Sequence, residues 1–266
     1  MNRIDKKFNE LRKVRKKVFI AYITAGDGGL ATTAKLVPAL EKAGADIIEL
    51  GIPFSDPLAD GPTIQAASQR ALKNKVNLAS IFGMVRGLRA KTNIPLVFMT
   101  YYNPVFKYGT QEFIASCAQN GVDGVIVPDL PDEEAQGLIK AAKRYKVASV
   151  FLAAPTSTRE RIRNIAKDST GFIYYVSLTG VTGARRKLPL EIISKVKLIK
   201  SMTKSPVCVG FGVSGPDQAR AIAKAADGVI VGSAIIKIIE KNLKNKNLVD
   251  RVSKFAKNLA EAIHNI

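Results

Sequence analysis

The stretch AADGVIVGS, residues 225–233, places an aspartate between the end of a helical segment and a short apolar run. Two other segments resemble it: GADIIELG at 44–51 and GVDGVIVPD at 121–129. Runs that are nearly continuous in apolar residues are typical of parallel strands covered on both faces. The repeat therefore predicts successive βα units that contribute their strands to one parallel sheet.

Eight such runs alternate with helical patterns along the chain. They are Val18 to Thr24, Asp46 to Leu50, Pro95 to Thr100, Gly124 to Val127, Ala148 to Leu152, Phe172 to Val176, Pro206 to Val209 and Gly228 to Val231. No linker-like composition divides the 266 residues, and single α/β barrels have about 250. We expect one (β/α)₈ TIM barrel domain over residues 1–266. An extra N-terminal helix, Ile4 to Val14, should cover its bottom, and a short phosphate-binding helix should follow the eighth strand.

An open doubly wound sheet is the alternative architecture. It would require a glycine-rich phosphate motif after the first strand. The segment ITAGDGG at 23–29 contains glycines, but without the G-x-G-x-x-G spacing. The barrel is therefore favoured.

The chain is strongly basic, with 41 Lys and Arg against 22 Asp and Glu, a net charge of +19. The positive residues concentrate at 3–17 and 237–257, with the rest scattered over predicted helix faces. These stretches contain few of the aromatic residues that stack on nucleic-acid bases. A solvated surface is the favoured interpretation, while steering of an anionic substrate and nucleic-acid binding remain alternatives.

Cysteine and histidine offer little chemistry in this chain. Cys117 and Cys208 lack metal-ligand or disulfide spacing, and His264, the single histidine, lies two residues from the end, where fraying is common. No Lys or Arg occurs in the eight predicted strands, which disfavours a Schiff-base aldolase. We predict no metal site, and acid–base chemistry by carboxylates or tyrosine.

The sequence contains no apolar run long enough for a membrane span, and its N-terminus is too charged for a signal-peptide core. We therefore expect a soluble, cytoplasmic protein.

The second predicted strand supplies the best catalytic candidate. Active-site residues of such barrels lie at the C-terminal ends of the strands and in the loops that follow. Glu49 lies in an otherwise apolar strand, where burial raises the pKa of a carboxyl group and suits it to proton transfer near neutral pH. A rim carboxylate bonded to backbone is the alternative. Asp60 follows in a proline-rich loop, where a turn or helix cap would explain it equally well.

Three later loops complete the candidate site. The sixth strand is followed by LTGVTGARRK at 178–187, which predicts a mobile lid or an ordinary connection. The seventh and eighth strands end in GFGVS at 210–214 and VGSAI at 231–235. Barrels often bind phosphate between these two loops through backbone N–H groups, although each glycine pair alone could be a turn.

Four segments resemble the tryptophan synthase alpha chain family: ELGIPFSDPLADGPTIQ at 49–65, LTGVTGARR at 178–186, GFGVS at 210–214 and VGSAIIKIIE at 231–240. The likeness extends from FNEL, beginning at Phe8, through YITAGD at 22–27 to the last helix. The resemblance implies a lyase that splits indole-3-glycerol phosphate into indole and glyceraldehyde 3-phosphate.

The resemblance also implies roles for individual residues. Glu49 would be the acid–base group, Asp60 would accept the indole N–H, and Tyr174 would position these groups, with adjacent Tyr175 as the competing assignment. The remaining roles fall in groups: a phosphate site at Gly183, Phe211, Gly212, Gly232 and Ser233; Thr182 in the lid loop; and an indole pocket at Tyr22, Met99, Ile126 and Leu152, residues that ordinary barrel packing would also explain.

The family works as an α₂β₂ complex in which a β subunit carries pyridoxal phosphate, so this chain should need no cofactor of its own. The product must leave towards that partner. The expected docking surface is therefore on the same face and comprises Pro53, Phe54, Asp56, Asn103, Pro104, Asp129 and Pro131. The charge of this chain is higher than the resemblance would suggest.

Two other functions remain as alternatives. Another phosphate-binding barrel, such as the synthase that makes indole-3-glycerol phosphate or a ribosyl isomerase, would require a lysine or differently placed carboxylates at the strand ends. A basic RNA-binding barrel without catalysis would show salt-sensitive RNA affinity and no indole release.

Overall fold

Parallel strands form the centre of the molecule. A computed structural model describes residues 2–176, 190–210 and 212–266. Its strands are β1 (Val18–Thr24), β2 (Ile47–Gly51), β3 (Leu96–Met99), β4 (Gly124–Ile126), β5 (Ala148–Val150), β6 (Leu152–Ala153), β7 (Ile173–Val176), β8 (Val207–Gly210) and β9 (Gly228–Val231). All neighbouring strands pair in parallel, in the order β5-β4-β3-β2-β1-β9-β8-β7-β6.

The two ends of this strand order meet in sequence, because only Phe151 separates β5 from β6. The lower half of that strand pairs with β4 and the upper half with β7. Such a change of partner along one strand reflects the stagger that closes a sheet into a barrel. The predicted eight-stranded barrel is therefore confirmed, with its fifth strand divided into two short pieces.

Helices surround this barrel. In the described part of the chain they are α1 (Arg3–Lys13), α2 (Leu30–Lys42), α3 (Pro62–Lys73), α4 (Leu78–Arg89), α5 (Tyr102–Tyr108), α6 (Thr110–Asn120), α7 (Gln136–Tyr145), α8 (Arg159–Asp168), α9 (Leu190–Met202), α10 (Pro216–Ala223), α11 (Ser233–Asn242) and α12 (Leu248–His264). The apolar side of each strand that faces outward packs against these helices, in a layer that includes Phe19, Leu50 and Tyr175.

A second apolar cluster fills the barrel interior, where Ile20, Ile47, Val97 and Cys208 are completely buried. The predicted N-terminal helix is present as α1 and covers the amino-terminal end of the barrel. Its Ile4 and Phe8 join the interior cluster, and the Phe8 ring lies 6.0 Å from that of Phe172. The bottom of the barrel is thus sealed, and access to the interior is from the carboxyl-terminal end.

His264 is more ordered than its position near the chain end suggested. Helix α12 continues to His264, whose Nε2 lies 2.9 Å from Asp46 Oδ2. The same carboxylate oxygen accepts a 2.8 Å hydrogen bond from the Phe19 backbone N–H. Because Asp46 directly precedes β2, this histidine lies at the amino-terminal end of the barrel, away from the loops that follow the strands.

Candidate active site

Glu49 occupies the centre of the barrel near its carboxyl-terminal end. It pairs in register with Tyr22 on one side and Val97 on the other. The side chain is fully buried, and neither carboxylate oxygen has a hydrogen-bond partner in the described part of the chain. Burial, with a smaller contribution from the negative charge of Asp60, raises the pKa of Glu49 to about 8. The carboxyl group is consequently protonated at neutral pH.

Asp60 lies in the loop between β2 and α3, one residue before Gly61 and the start of α3 at Pro62. Burial raises the pKa of Asp60 to about 6, although a hydrogen bond from the Tyr101 hydroxyl opposes the shift. The backbone carbonyl of Asp60 also accepts a 2.9 Å hydrogen bond from Gln65 Nε2. Between pH 6 and 8, therefore, the site presents one neutral carboxyl and one carboxylate.

Tyr101 was not singled out from the sequence. Its hydroxyl accepts a 3.0 Å hydrogen bond from the Ala59 backbone N–H and donates to Asp60. Its ring stacks on Phe54, with centroids 5.4 Å apart. Tyr101 thus fixes the β2–α3 loop from the end of the neighbouring strand β3. Its position directly after the third predicted strand was the one available signal.

Tyr174, and not Tyr175, faces the barrel interior. Tyr174 packs with the interior cluster, and its pKa is raised mainly by burial and then by the charge of Glu49. Tyr175 points outward into the helix layer. Because adjacent residues of a strand face opposite sides, only one of the two can approach Glu49. By position, Tyr174 is therefore the tyrosine that faces the barrel interior.

Tyr22 lies on the opposite side of Glu49 from β3. Its pKa is raised by burial and by the charge of Asp60, followed by a smaller effect of Glu49, and its hydroxyl lies 3.4 Å from Thr24 Oγ1. Gly51 leaves the space that this phenol occupies, since a Cβ there would overlap its hydroxyl. Of the remaining predicted pocket residues, Ile126 belongs to the interior cluster, and Met99 and Leu152 pack against it. Two carboxyls, two phenols and an apolar wall are therefore brought together.

Part of the predicted phosphate site follows the paired neighbouring strands β8 and β9. Gly212 adopts a left-handed backbone conformation with φ 68° and has open space around it. Helix α11 begins at the exposed Ser233, with Gly232 as its N-cap. A helix N-terminus presents unpaired N–H groups and a positive dipole end, which suit an anion. The predicted residues Phe211, Gly183 and Thr182 lie outside the described residues.

A cavity of about 510 Å³ opens on the same face, beside the loop that contains Asp60. It is lined by Phe54, Asp56, Leu58, Ala59, Tyr101, Asn103 and Asp129, which include four of the seven residues predicted for partner docking. The apolar Leu58 is 93% exposed, and Phe106 on α5 is 71% exposed. Of the other three residues predicted for partner docking, Pro53 is buried, whereas Pro104 and Pro131 are half-buried.

A smaller cavity of about 250 Å³ lies at the opposite, amino-terminal end, among Arg12, Arg15, Lys16 and Lys17. It contains none of the predicted site residues.

Within residues 2–176, 190–210 and 212–266, no three His, Cys, Asp or Glu side chains are grouped as a metal site. Both cysteines are buried and free.

The open end of this barrel has a neutral buried carboxyl, a neighbouring carboxylate and the N-terminus of a helix, which are the groups that an acid–base enzyme with a small anionic substrate requires. The comparisons identify it further. The tryptophan synthase alpha chain family model matches residues 8–264. The tryptophan synthase alpha chain of Caldanaerobacter subterraneus subsp. tengcongensis is 48% identical over 263 residues, covering 99% of this chain and 100% of the relative. That of Geotalea daltonii is 51% identical over 241 residues, 91% of each.

Solved structures agree with the sequence comparisons. Tryptophan synthase subunit alpha from Legionella pneumophila superposes with a TM-score of 0.93 at 38% identity and covers both chains completely. Tryptophan synthase from Mycobacterium tuberculosis gives 0.90 at 35% identity, covering 99% of this chain and 98% of the other. The chain belongs to the tryptophan synthase alpha chain family, and it is a carbon–carbon lyase that performs the alpha reaction, the cleavage of indole-3-glycerol phosphate.

No helix in the described ranges is both long and apolar enough to cross a membrane.

Proposed function

We propose that Glu49 is the acid–base group of the alpha reaction and carries a single proton through it. The observation that supports this role is a fully buried carboxyl with no hydrogen-bond partner among the described residues and a pKa raised to about 8. The neutral acid donates its proton to C3 of the indole ring. The resulting carboxylate then accepts the proton of the hydroxyl on the adjacent side-chain carbon.

These two transfers balance. As the hydroxyl loses its proton, its oxygen forms the aldehyde carbonyl, and the carbon–carbon bond electrons return to the ring to give indole. Glu49 ends the cycle protonated, as it began. The products are indole and glyceraldehyde 3-phosphate.

Asp60 in this proposal is the carboxylate that accepts a hydrogen bond from the indole N–H. Protonation of C3 places positive charge on the ring, and a nearby carboxylate stabilises that charge most strongly where water is excluded. Its pKa of about 6 leaves Asp60 ionised while Glu49 is still neutral. Tyr174 positions the acid–base group from the opposite wall of the barrel.

The substrate would lie with its ring against the apolar wall and its phosphate at the last two loops. Tyr22, Met99, Ile126 and Leu152 supply the ring pocket. Backbone N–H groups of Gly212, Gly232 and Ser233 hold the phosphate, with Phe211 and Gly183 completing the site. The loop that contains Thr182 acts as a lid that excludes water.

The chain needs no cofactor for this chemistry, because the indole ring itself takes up the bond electrons. We propose that it works in an α₂β₂ complex with a β subunit that carries pyridoxal phosphate. The docking surface is the carboxyl-terminal face around Phe54, Asp56, Asn103, Pro104 and Asp129, together with Pro53 and Pro131. The exposed Leu58 in the adjoining cavity supports this placement. The whole chain forms one domain and acts in the cytoplasm.

The decisive experiment compares Glu49→Gln with the wild type. The variant keeps the size of the side chain but cannot donate or accept the proton, so indole release should fall by at least about a thousandfold. Binding of indolepropanol phosphate, a non-cleavable analogue, should persist. Glu134→Gln, which alters an exposed carboxylate, is the matched control. Near-wild-type turnover by Glu49→Gln would refute the assignment.

The docking surface has its own test. Leu58→Asp should weaken binding of a purified β subunit, because it places a charge in a surface that must become dry. Val14 is 61% exposed at the opposite end of the barrel, so Val14→Asp is the matched control. Equal β-subunit affinity for both variants would place the interface elsewhere.

A further inference from the structure

An ion-pair network joins three elements that surround the site. Arg70, on α3, donates two hydrogen bonds to Asp27, from Nε at 2.7 Å and from Nη2 at 2.8 Å. Its Nη1 donates a third, at 2.8 Å, to Glu240 on α11. The Asp27 side chain is completely buried, and Arg70 is 22% exposed. Paired, two-point contacts of this kind fix both distance and orientation.

The two helices that this network joins lie on different sides of the proposed substrate site. Helix α3 begins directly after the loop of Asp60 and binds it, because Gln65 Nε2 donates to the Asp60 carbonyl. Helix α11 begins at Ser233, the end to which we assign the phosphate. Asp27 lies in the loop after β1. Arg70 therefore ties the Asp60 side of the site to the phosphate side.

The loop after β1 is itself hydrogen-bonded to two neighbouring elements. The Ala25 N–H donates a 2.9 Å hydrogen bond to the carbonyl of Gly51, at the end of β2. Asn74, at the end of α3, donates a 3.1 Å hydrogen bond to the Gly26 carbonyl. Gly26 has φ 88° and packs closely on Val76, so a side chain there would be strained and would also meet Val76. Asp27 therefore lies in a loop that is hydrogen-bonded to the end of β2 and to the end of α3.

From these contacts we infer that Arg70 is a positioning residue of the alpha reaction, which sets the separation between Asp60 and the phosphate-binding helix end. The inference rests on the proposed roles of Asp60 and Ser233. An α-helix is stiff over two or three turns, so a shift at Arg70 is passed to the N-terminus of α3. Small displacements of catalytic groups cost rate even when the displaced contact is distant.

The two ion pairs of Arg70 affect different kinetic constants. The Arg70–Asp27 pair positions α3 and therefore Asp60, so its loss lowers kcat. The Arg70–Glu240 pair positions α11 and therefore the phosphate contacts, so its loss raises KM. Glu240 is 48% exposed and its replacement leaves the buried Asp27–Arg70 pair intact.

A second buried pair provides the control. Arg89 Nη2 donates a 2.8 Å hydrogen bond to Asp123 Oδ2, and Asp123 is 5% exposed. Asp123 precedes β4, so this pair lies at the amino-terminal end of the barrel, away from the site. Arg→Lys at either position removes the planar guanidinium but keeps the charge. Both substitutions should lower the free energy of unfolding, and only the one at Arg70 should alter catalysis.

The experiment measures kcat and KM for indole-3-glycerol phosphate, and urea unfolding, for Arg70→Lys, Arg89→Lys and Glu240→Gln. Arg70→Lys should reduce kcat about tenfold or more, while Arg89→Lys stays within about twofold of wild type. Glu240→Gln should raise KM about threefold to tenfold with kcat unchanged. Because Glu240 is partly exposed, Glu240→Gln should fold and still test the inference if Arg70→Lys does not fold.

Equal kinetic effects of Arg70→Lys and Arg89→Lys, or an unchanged KM in Glu240→Gln, would overturn the inference and leave Arg70 a structural residue. Wild-type turnover and the Glu49→Gln variant test the proposed catalytic roles. The ratio of kcat between Arg70→Lys and Arg89→Lys tests the positioning role of Arg70. The proposed catalytic roles and the positioning role can therefore be refuted independently.

Discussion

The phenol of Tyr174 occupies the space above Gly210, on the neighbouring strand β8. The two strands pair so that Tyr174 lies beside Cys208, and its ring leans along the barrel towards the carboxyl-terminal end. A Cβ on Gly210 would lie 2.7 Å from both Cε1 and Cζ of that ring. A rigid aromatic ring cannot yield as the end of a flexible chain can. The absence of a side chain at Gly210 is therefore what allows the Tyr174 ring to lie in the barrel interior, where the charge of Glu49 affects its pKa.

Gly210→Ala should lower kcat/KM for indole release by about tenfold or more, because the displaced ring crowds the acid–base group. Gly87→Ala is the control, since a Cβ at Gly87, within helix α4, meets nothing within 4 Å. It should leave kcat/KM unchanged. A wild-type rate for Gly210→Ala would mean that the position of Tyr174 does not matter. If the overlap is the cause, Gly210→Ala should add little further loss to Tyr174→Ala, because the ring that it displaces is then absent.

The barrel could be predicted from the sequence because its strands are buried on both faces and read as continuous apolar runs. The strand ends were less certain. The second strand begins at Ile47 and not at Asp46, whose carboxylate bonds to the Phe19 N–H. The fifth divides at Phe151 because it changes pairing partners. Both differences arise from contacts between strands distant in sequence, which local patterns do not contain.

The residues of the candidate site, too, could be predicted from the sequence only in part. Glu49 could be suspected because a carboxylate in an apolar strand is unfavourable without a function or partner. Asp60 could not be separated from a turn residue until its burial and its contact with Tyr101 were known. Tyr101 and Arg70 act through side chains brought together by the barrel, so no spacing in the sequence marks them.

The pH dependence of catalysis should follow the two carboxyl groups. Raised pKa values of about 6 for Asp60 and about 8 for Glu49 leave the pair in its active form, anionic and neutral respectively, between those limits. We expect kcat/KM to fall above pH 8 as Glu49 loses its proton. The charge of Asp60 is one cause of the raised pKa of Glu49, so Asp60→Asn should lower it.

That shift can be measured without turnover. In protein labelled with ¹³C at glutamate side-chain carboxyls, the signal absent from Glu49→Gln belongs to Glu49. Its midpoint should lie near 8 in the wild type and lower in Asp60→Asn. A midpoint that does not move would show that the two carboxyls are electrostatically independent.

Burial of Glu49 should also make the protein less stable at alkaline pH. The raised pKa means that the folded state binds more protons than the unfolded state between the ordinary value of 4.5 and about 8. Stability therefore falls as pH rises through that window. Glu49→Gln removes this dependence, so its advantage in the free energy of unfolding should grow from pH 5 to pH 9 by a few kcal/mol at most.

Urea unfolding at both pH values measures that change, and Glu134→Gln, at an exposed position, controls for the loss of one negative charge. An advantage of Glu49→Gln that is constant with pH would show that Glu49 has the same proton affinity in both states.

Tyr101→Phe should move the acidic side of the activity profile to higher pH. The Tyr101 hydroxyl donates to Asp60 and thereby lowers the pKa of that carboxyl against the effect of burial. Without this donor, the pKa of Asp60 rises above its present value of about 6, and more of the enzyme holds Asp60 in its neutral, inactive form. The substrate phosphate ionises in the same range, but identically for both enzymes, so the difference between their profiles reports Asp60. Tyr102→Phe, at the adjacent residue whose ring packs on Phe106, should leave the profile in place; if it shifted the acidic limb as far as Tyr101→Phe does, the hydrogen bond to Asp60 would not be the cause.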